Sequence, residues 1–347
     1  MNSRLLNNDI IKAEAKRLGF FACGIAKAER VDEAEEKCLN RWIAEGNYAN
    51  MEYMANHTDI RLDPRLLLDG AKIIVSVAMN YAPKTPMPDG QPQMAAYSYG
   101  LDYHDILRKK LYALAQNLGL NYDKSIREPE KQEFRVCVDT APILERYWAQ
   151  KAGIGWQGRS HQLIIPHAGT MFFLGELIIA AEVDHYDKPM ENHCGNCSKC
   201  IDACPTKALN PDGTFCSSRC LSYITIESRE AEISDDIAHT MGDTFYGCDR
   251  CQQACPWNRF ATATDIPELQ PKPELLDMTW EKWQSLTEDD YRRLFKGCAA
   301  KRAKYDGIMR NIRAITKAKC FIAEKKITKK LQIKRLLALT SSDHRER

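Results

Sequence analysis

Eight of the fourteen cysteines are spaced for metal-cluster chemistry. Cys194, Cys197, Cys200 and Cys204 follow C-x2-C-x2-C-x3-C and precede Pro205. Cys220 stands apart, and Cys248, Cys251 and Cys255 close the series in G-C-D-R-C-Q-Q-A-C-P. In the bacterial ferredoxin run, three closely spaced thiolates wrap one 4Fe-4S cubane and the fourth ligates its neighbour. That rule assigns Cys194, Cys197, Cys200 and Cys255 to a first cluster, and Cys204, Cys220, Cys248 and Cys251 to a second. Structural zinc is the alternative, but it prefers paired C-x2-C knuckles separated by a longer loop. Cys23, Cys38, Cys137, Cys216, Cys298 and Cys320 show no ligand spacing and read as ordinary thiols.

Asp139 is the other chemically suggestive residue. It follows a short strand over 134–138, and Thr140, Pro142 and Gly153 suit the cap, first turn and end of a helix. A carboxylate where strand hands over to helix sits at the edge where open α/β sheets bind ligands. The glycine-rich stretch after it, I-G-W-Q-G-R-S-H from Ile154, carries Trp156, Arg159 and Ser160, with Gln162 just beyond.

The elements that must position these groups are legible in outline. Apolar residues at helical spacing predict a helix over 8–18, followed by a strand over 20–26, a helix over 29–45 and a helix over 103–118. K-I-I-V-S-V-A-M-N-Y at 72–81 reads as a strand buried on both faces, and 82–93 as loop. The flanks 163–165 and 171–181 suggest a hairpin. Beyond a proline-rich linker at 266–273, helices are expected over 280–295, 302–319 and 325–340. The fold class is thus an α/β N-terminal domain (1–184), an α+β ferredoxin-like domain holding two clusters (185–265) and a small all-α, basic C-terminal region (266–347).

At 347 residues and 44% hydrophobic, the chain has ample material for a core. No apolar run approaches the roughly 18 residues of a membrane span, and 1–11 lacks the apolar core of an export signal, so no membrane partner and a reducing cytoplasm are expected. Net charge is +2, yet residues 291–347 hold 18 Lys and Arg against 4 Asp and Glu. Such asymmetry points to a polyanionic partner.

Together these features resemble the epoxyqueuosine reductase family over roughly residues 8–320. The resemblance rests on I-K-A-E-A-K-R-L-G-F from Ile11, V-D-T-A-P-I-L-E-R-Y-W-A-Q-K-A-G-I-G-W-Q-G-R-S from Val138, both cysteine sets, C-L-S-Y-I-T-I-E from Cys220 and R-A-K-Y-D-G-I-M-R-N from Arg302. It implies reduction of the epoxide of epoxyqueuosine at the tRNA wobble position, with two electrons and two protons entering and the oxygen leaving as water. It also implies cobalamin between the N-terminal and ferredoxin-like domains, an external electron donor, and HEAT-like helices at the C-terminus, here only partial. Asp139 matches the family's proton donor, and burial is expected to keep it protonated when substrate closes the site. Arg61, Trp156, Arg159, Ser160 and Gln162 would bind corrin amides and tail. Tyr223, Thr225, Tyr246, Gly247 and Asp249 would stand at the cluster-to-corrin boundary. The lower-ligand motif D-x-H-x-x-G is absent, since Leu107 replaces its glycine after Asp102-Tyr103-His104. His57, His104 and His161 read as surface or hydrogen-bonding residues, and a monomer is expected. Two rival readings are a corrinoid iron-sulfur reductase of a small molecule and a non-catalytic electron carrier.

Overall fold

The computed structural model describes residues 5–342; in its last helix the side chains of 323, 326, 327 and 329–342 lie outside that description. The apolar run at 72–81 becomes the strand Ile73–Asn80, buried along nearly its whole length. Ala22–Lys27 pairs with one edge of it, Phe172–Ile179 with the other, and Phe134–Cys137 extends the sheet beyond. Side chains alternate across the sheet. Ile73, Val75 and Val77 share a core with Ile11 and Ala15 of the helix Asn8–Arg17 and with Leu107, Leu111 and Leu114 of Tyr103–Asn117. On the other face Ile74 and Ile178 meet Tyr147, Trp148 and Ala152. A Cβ on Gly24 would lie 1.9 Å from the Ala152 carbonyl oxygen, so glycine there lets the end of the helix Glu145–Lys151 press onto the sheet.

Every pairing in this sheet is antiparallel, so the rule for ligand crevices in parallel sheets does not explain the site. Asp139 does follow the end of a strand, but the next helix begins at Glu145, with Leu144 in the cap position. Thr140 and Pro142 therefore shape a turn and are not the cap and first turn of that helix. The expected hairpin is also replaced. Leu163–Ile164 pairs back onto Trp156–Gln157, while Phe172–Ile179 joins the main sheet. Burial decides this outcome, because the longer apolar strand gains two partners in the core.

Beyond the sheet, Thr244–Tyr246 pairs parallel with Gln93–Met94. The short helices Lys199–Asp202 and Arg250–Gln253, one from each cysteine set, pack together. Tyr81 and Thr170 both donate hydroxyl protons to Gln252 Oε1, at 3.1 and 3.0 Å, tying the cysteine loops to the sheet. The C-terminal region holds Trp280–Gln284 and Glu288–Leu294 in place of one expected helix, and a single helix Lys304–Ser342 in place of two. Thr287 makes a capping box with Asp290, which restarts the chain as a new helix and explains the first difference. Arg310 is buried in this last helix and donates to the carbonyls of Ser228, Glu230 and Ile224, while Asn311 donates to those of Thr225 and Phe245. No helix among the described residues is long and apolar enough to cross a membrane.

Candidate active site between the sheet and the cysteine loops

A cavity of about 1140 Å3 opens between the sheet and the cysteine loops. That slightly exceeds the roughly 300–1,000 Å3 of most small-ligand pockets. Its walls mix the aromatic rings of Tyr53, Tyr97, Tyr103 and Phe173 with the polar groups of His104, Asp139, Arg146 and Arg302.

Asp139 and His104 meet at this wall, brought there from different elements. Asp102 caps the helix Tyr103–Asn117 by accepting from the His104 amide, and it also holds His104 Nδ1 at 2.6 Å. The opposite ring nitrogen, Nε2, lies 3.0 Å from Asp139 Oδ2. Tyr103 stacks on His104 at 4.1 Å and on Phe173 at 4.1 Å, which fixes the imidazole plane. Burial disfavours the His104 cation, but the two carboxylates outweigh it and raise the imidazole to about 9. Burial likewise opposes ionisation of Asp139, yet His104, with Arg146 and Tyr103 behind it, holds that carboxyl below its ordinary value. Before substrate enters, the proton therefore rides on the histidine.

The eight spaced cysteines fall into two groups. Burial raises the Cys200 and Cys255 thiols; Cys194 and Cys255 act on the first, and Cys194 and Cys197 on the second. The other group gathers by the same criterion. Burial raises Cys220, with Cys204 nearby; it raises Cys248 to about 11, with Cys220 nearby; and it raises Cys251 to about 12, with Cys248 and Cys220 acting more strongly than Cys200 of the first group. Burial also opposes ionisation of Cys204, but the Ala208 amide, donating to its sulfur at 3.2 Å, and other donors bring it below the ordinary value. A donor set of soft thiols, half enclosed and free of disulfides, fits iron-sulfur cubanes. Among the described residues no group of three or more His, Cys, Asp or Glu is arranged around a single metal ion. A cubane spreads its four thiolates over four irons and so needs them farther apart. Cys204, Cys220, Cys248 and Cys251 line the cavity, and the other four lie outside its wall.

Of the remaining residues named from the sequence, Arg61, Ser160, Gln162, Tyr223 and Asp249 line the cavity, whereas Trp156, Arg159, Thr225, Tyr246 and Gly247 do not. Arg61 is buried and donates to the carbonyls of Tyr53 and Asn56, so it shapes the loop that forms the wall. Trp156 is fully buried, with Nε1 3.5 Å from Cys194 Sγ and its ring edge-on to Trp257; it supports the first cysteine group. Arg159 is exposed. The buried Thr225 hydroxyl accepts from the Gly247 amide, and Tyr246 donates to Ala299 O, so these three brace the floor. Gly247, at φ 66°, leaves no room for a side chain, since a Cβ would sit 2.5 Å from that of Ala95. Asp249 accepts from the Ala96 amide, and burial raises its carboxyl to about 6. Spacing and composition assign no chemical role to His104, Tyr103, Glu145 or Arg302. Arg302 lines the cavity, pairs with Glu227 at 2.8 Å and lies over the Tyr53 ring. Only its place in R-A-K-Y-D-G-I-M-R-N could have flagged it.

Comparison with known proteins matches residues 193–258 to the 4Fe-4S double cluster binding domain and 61–140 to the model for epoxyqueuosine reductase QueG. An epoxyqueuosine reductase from Cellulophaga algicola is 41% identical over 312 residues, covering 90% of this chain and 99% of that one. Among solved structures, an epoxyqueuosine reductase with an epoxyqueuosine-modified tRNA-Tyr stem loop superposes with a TM-score of 0.76 at 28% identity, covering 89% of this chain and 80% of the other. A Bacillus subtilis epoxyqueuosine reductase with its catalytic aspartate loop swung out of the active site gives 0.75 at 26% identity, covering 89% and 81%.

Proposed function

Since the chain belongs to the epoxyqueuosine reductase family, we propose that it reduces the epoxide of epoxyqueuosine in tRNA to the alkene, with Asp139 and His104 delivering the proton to the departing oxygen. The observation that carries this assignment is the Asp102–His104–Asp139 chain at the cavity wall. His104 stores a proton at Nε2, within hydrogen-bond reach of Asp139 Oδ2. Asp139 passes that proton to the oxygen as the carbon–oxygen bond breaks, and Asp102 stabilises the histidine tautomer throughout. A non-catalytic electron carrier has no use for such a chain. General acid assistance of this kind is worth about 10² to 10⁴ in rate.

Cobalamin and the two clusters, when bound, supply the two electrons that convert epoxide, with two protons, into alkene and water. The cavity suits a large amide-bearing ring because its lining combines polar side chains with aromatic rings. Ser160, Gln162 and Tyr223 would hold its amides, and Arg302 would face its acidic tail or the tRNA backbone. Cys204, Cys220, Cys248 and Cys251 would hold the cluster nearer the cavity. Cys194, Cys197, Cys200 and Cys255 would hold the outer one, where an external one-electron donor docks. Residues 138–144 form the loop that would swing as in the B. subtilis relative, admitting the modified base and then closing on it. The basic helix Lys304–Ser342 would grip the tRNA backbone, and the protein would act as a cytoplasmic monomer.

The test is anaerobic reconstitution with iron, sulfide, cobalamin and a reductant, followed by nucleoside analysis of tRNA carrying epoxyqueuosine. Queuosine should accumulate with wild-type protein. Intact epoxyqueuosine in the presence of fully loaded protein would overturn the assignment.

A further inference from the structure

Glu145 plays no part in the proton path above, yet it touches the donor more closely than any other acid does. Asp139 has φ 54°, in the left-handed region, which a residue bearing a side chain adopts at a cost even though Asp tolerates it better than most. Something must hold such a turn. The Asp139 amide donates to Glu145 Oε1 at 2.6 Å, closing the turn upon the first residue of the helix Glu145–Lys151. That helix is a rigid base, because Tyr147, Trp148 and Ala149 are buried against the sheet. Arg108 adds a weaker tether, donating to Thr140 Oγ1 at 3.2 Å.

The surroundings of Glu145 are unusual. Behind it Glu176 is wholly buried in the strand Phe172–Ile179, with neither carboxyl oxygen hydrogen-bonded, and the hydroxyl of its cross-strand neighbour Ser76 is also unpartnered. A buried, unpaired carboxylate is far costlier than a neutral acid, so Glu176 carries its proton and adds no negative charge beside Glu145. Burial and the Asp139 charge raise the Glu145 carboxyl to about 7, against the opposing pull of the Asp139 amide, Arg146 and His104.

We propose that Glu145 is the positioning residue of the donor loop: its carboxylate latches the Asp139 amide, holding the strained turn closed so that the Asp139 carboxyl stays against His104 and faces the cavity. The proposal rests on Asp139 being the proton donor. A latch acts through reach as well as charge, which separates it from a general electrostatic role. Gln keeps the length and one acceptor oxygen, whereas Asp keeps the charge but falls one methylene short.

The experiment compares Glu145→Gln, Glu145→Asp and Glu145→Ala for turnover, for the Michaelis constant on tRNA and for hydrogen exchange of the peptide spanning 138–144, each at matched iron content. Misplacing a reacting group by about 1 Å costs up to roughly 10² in rate. Turnover should therefore fall about 10-fold or more in Asp and Ala and less in Gln, with the Michaelis constant changed less than about twofold. Exchange should quicken most in Asp and Ala, by about 10-fold or more where the bond to the Asp139 amide is lost, and less in Gln. Turnover or exchange that follows charge, with Asp above Gln, or that stays at the wild-type level, overturns the latch. Should Ala fail to load iron, the Gln and Asp pair decides alone. Asp139→Asn, run alongside, separates the two ideas: full activity there removes the underlying donor assignment, while an inactive Asp139→Asn with wild-type behaviour at position 145 removes only the latch.

Discussion

A proton held on an imidazole between two carboxylates sets a definite pH window. His104 is raised to about 9, so it stays charged at neutral pH and gives up its proton as the pH climbs past that value. Turnover should accordingly decline as pH rises through about 9, and His104→Gln should abolish that limb while lowering turnover about 10- to 100-fold. The same sign holds for stability. The His104 contacts contribute fully below the unfolded pKa of about 6.5 and are lost as pH passes the folded value. Asp139→Asn and Asp139→Ala should both keep their cofactors and lose activity alike, because neither can carry a proton; an active Asn variant, seen by nucleoside analysis, would demote Asp139 to a turn former. His104 has both ring nitrogens engaged by carboxylates. The cob(II) paramagnetic resonance signal of wild type and His104→Gln should therefore match, without nitrogen splitting from a protein imidazole. Asp139 is easily found in the sequence, as a carboxylate after a strand, but His104 and Glu145 are not. His104 stands 35 positions away inside an incomplete D-x-H-x-x-G motif, and Glu145 has the sequence surroundings of any solvent-facing helix residue.

Elements carry information of a different kind. Short-range signals were reliable here: helical spacing located Asn8–Arg17 and Tyr103–Asn117, and the β-branched run located Ile73–Asn80. Pairing was not legible, because which strand meets which is settled by burial between residues a hundred positions apart, as for Ile73 and Ile179. That is why Phe172–Ile179 left its expected hairpin for the sheet. The cysteine loops interlock at this same scale. Cys255 follows the helix Arg250–Gln253 yet neighbours Cys194 and Cys197 from the other set. Cys255→Ser should consequently perturb the outer cluster first, and spectra that show only the inner cluster altered would contradict the crossed assignment. Intact protein should bind about eight irons as two cubanes. Arg310 is another element-scale clamp. Replacing it with Ala strands three carbonyls of the cysteine region, and leaving buried acceptors unpaired costs about 1–3 kcal/mol each. A lower unfolding temperature with the cluster spectra intact at low temperature is the expected result.

At the scale of the whole molecule, charge is the organising quantity. The basic C-terminal region is not uniformly free, because Lys317 pairs with Asp235 and Lys319 with Asp243. The surplus for a polyanion therefore lies farther along the helix, where Lys325 rests over the Phe321 ring; the side chains of Lys326, Lys329 and Lys330 lie outside the described residues. Neutralising all four of those lysines should weaken tRNA binding and flatten its salt dependence, each lost phosphate contact removing roughly 0.7 to 0.9 from the log-log slope, with turnover at saturating tRNA kept. Equal slopes for the two proteins would send the tRNA footprint elsewhere. The anchoring of that helix also bears on how the protein is made. Asn311 and Arg310 tie off carbonyls between residues 224 and 245, inside the span that seats the cysteines, and the hydrophobic core runs without interruption from Leu6 to Ile315. Synthesis proceeds from the N-terminus at about 5–20 residues per second, so all eight thiols emerge from the ribosome before the segment that braces them. The nascent chain thus passes through a stage with its cysteines displayed and unbraced, open to oxidants and to stray metal ions until Arg310 and Asn311 have emerged and docked.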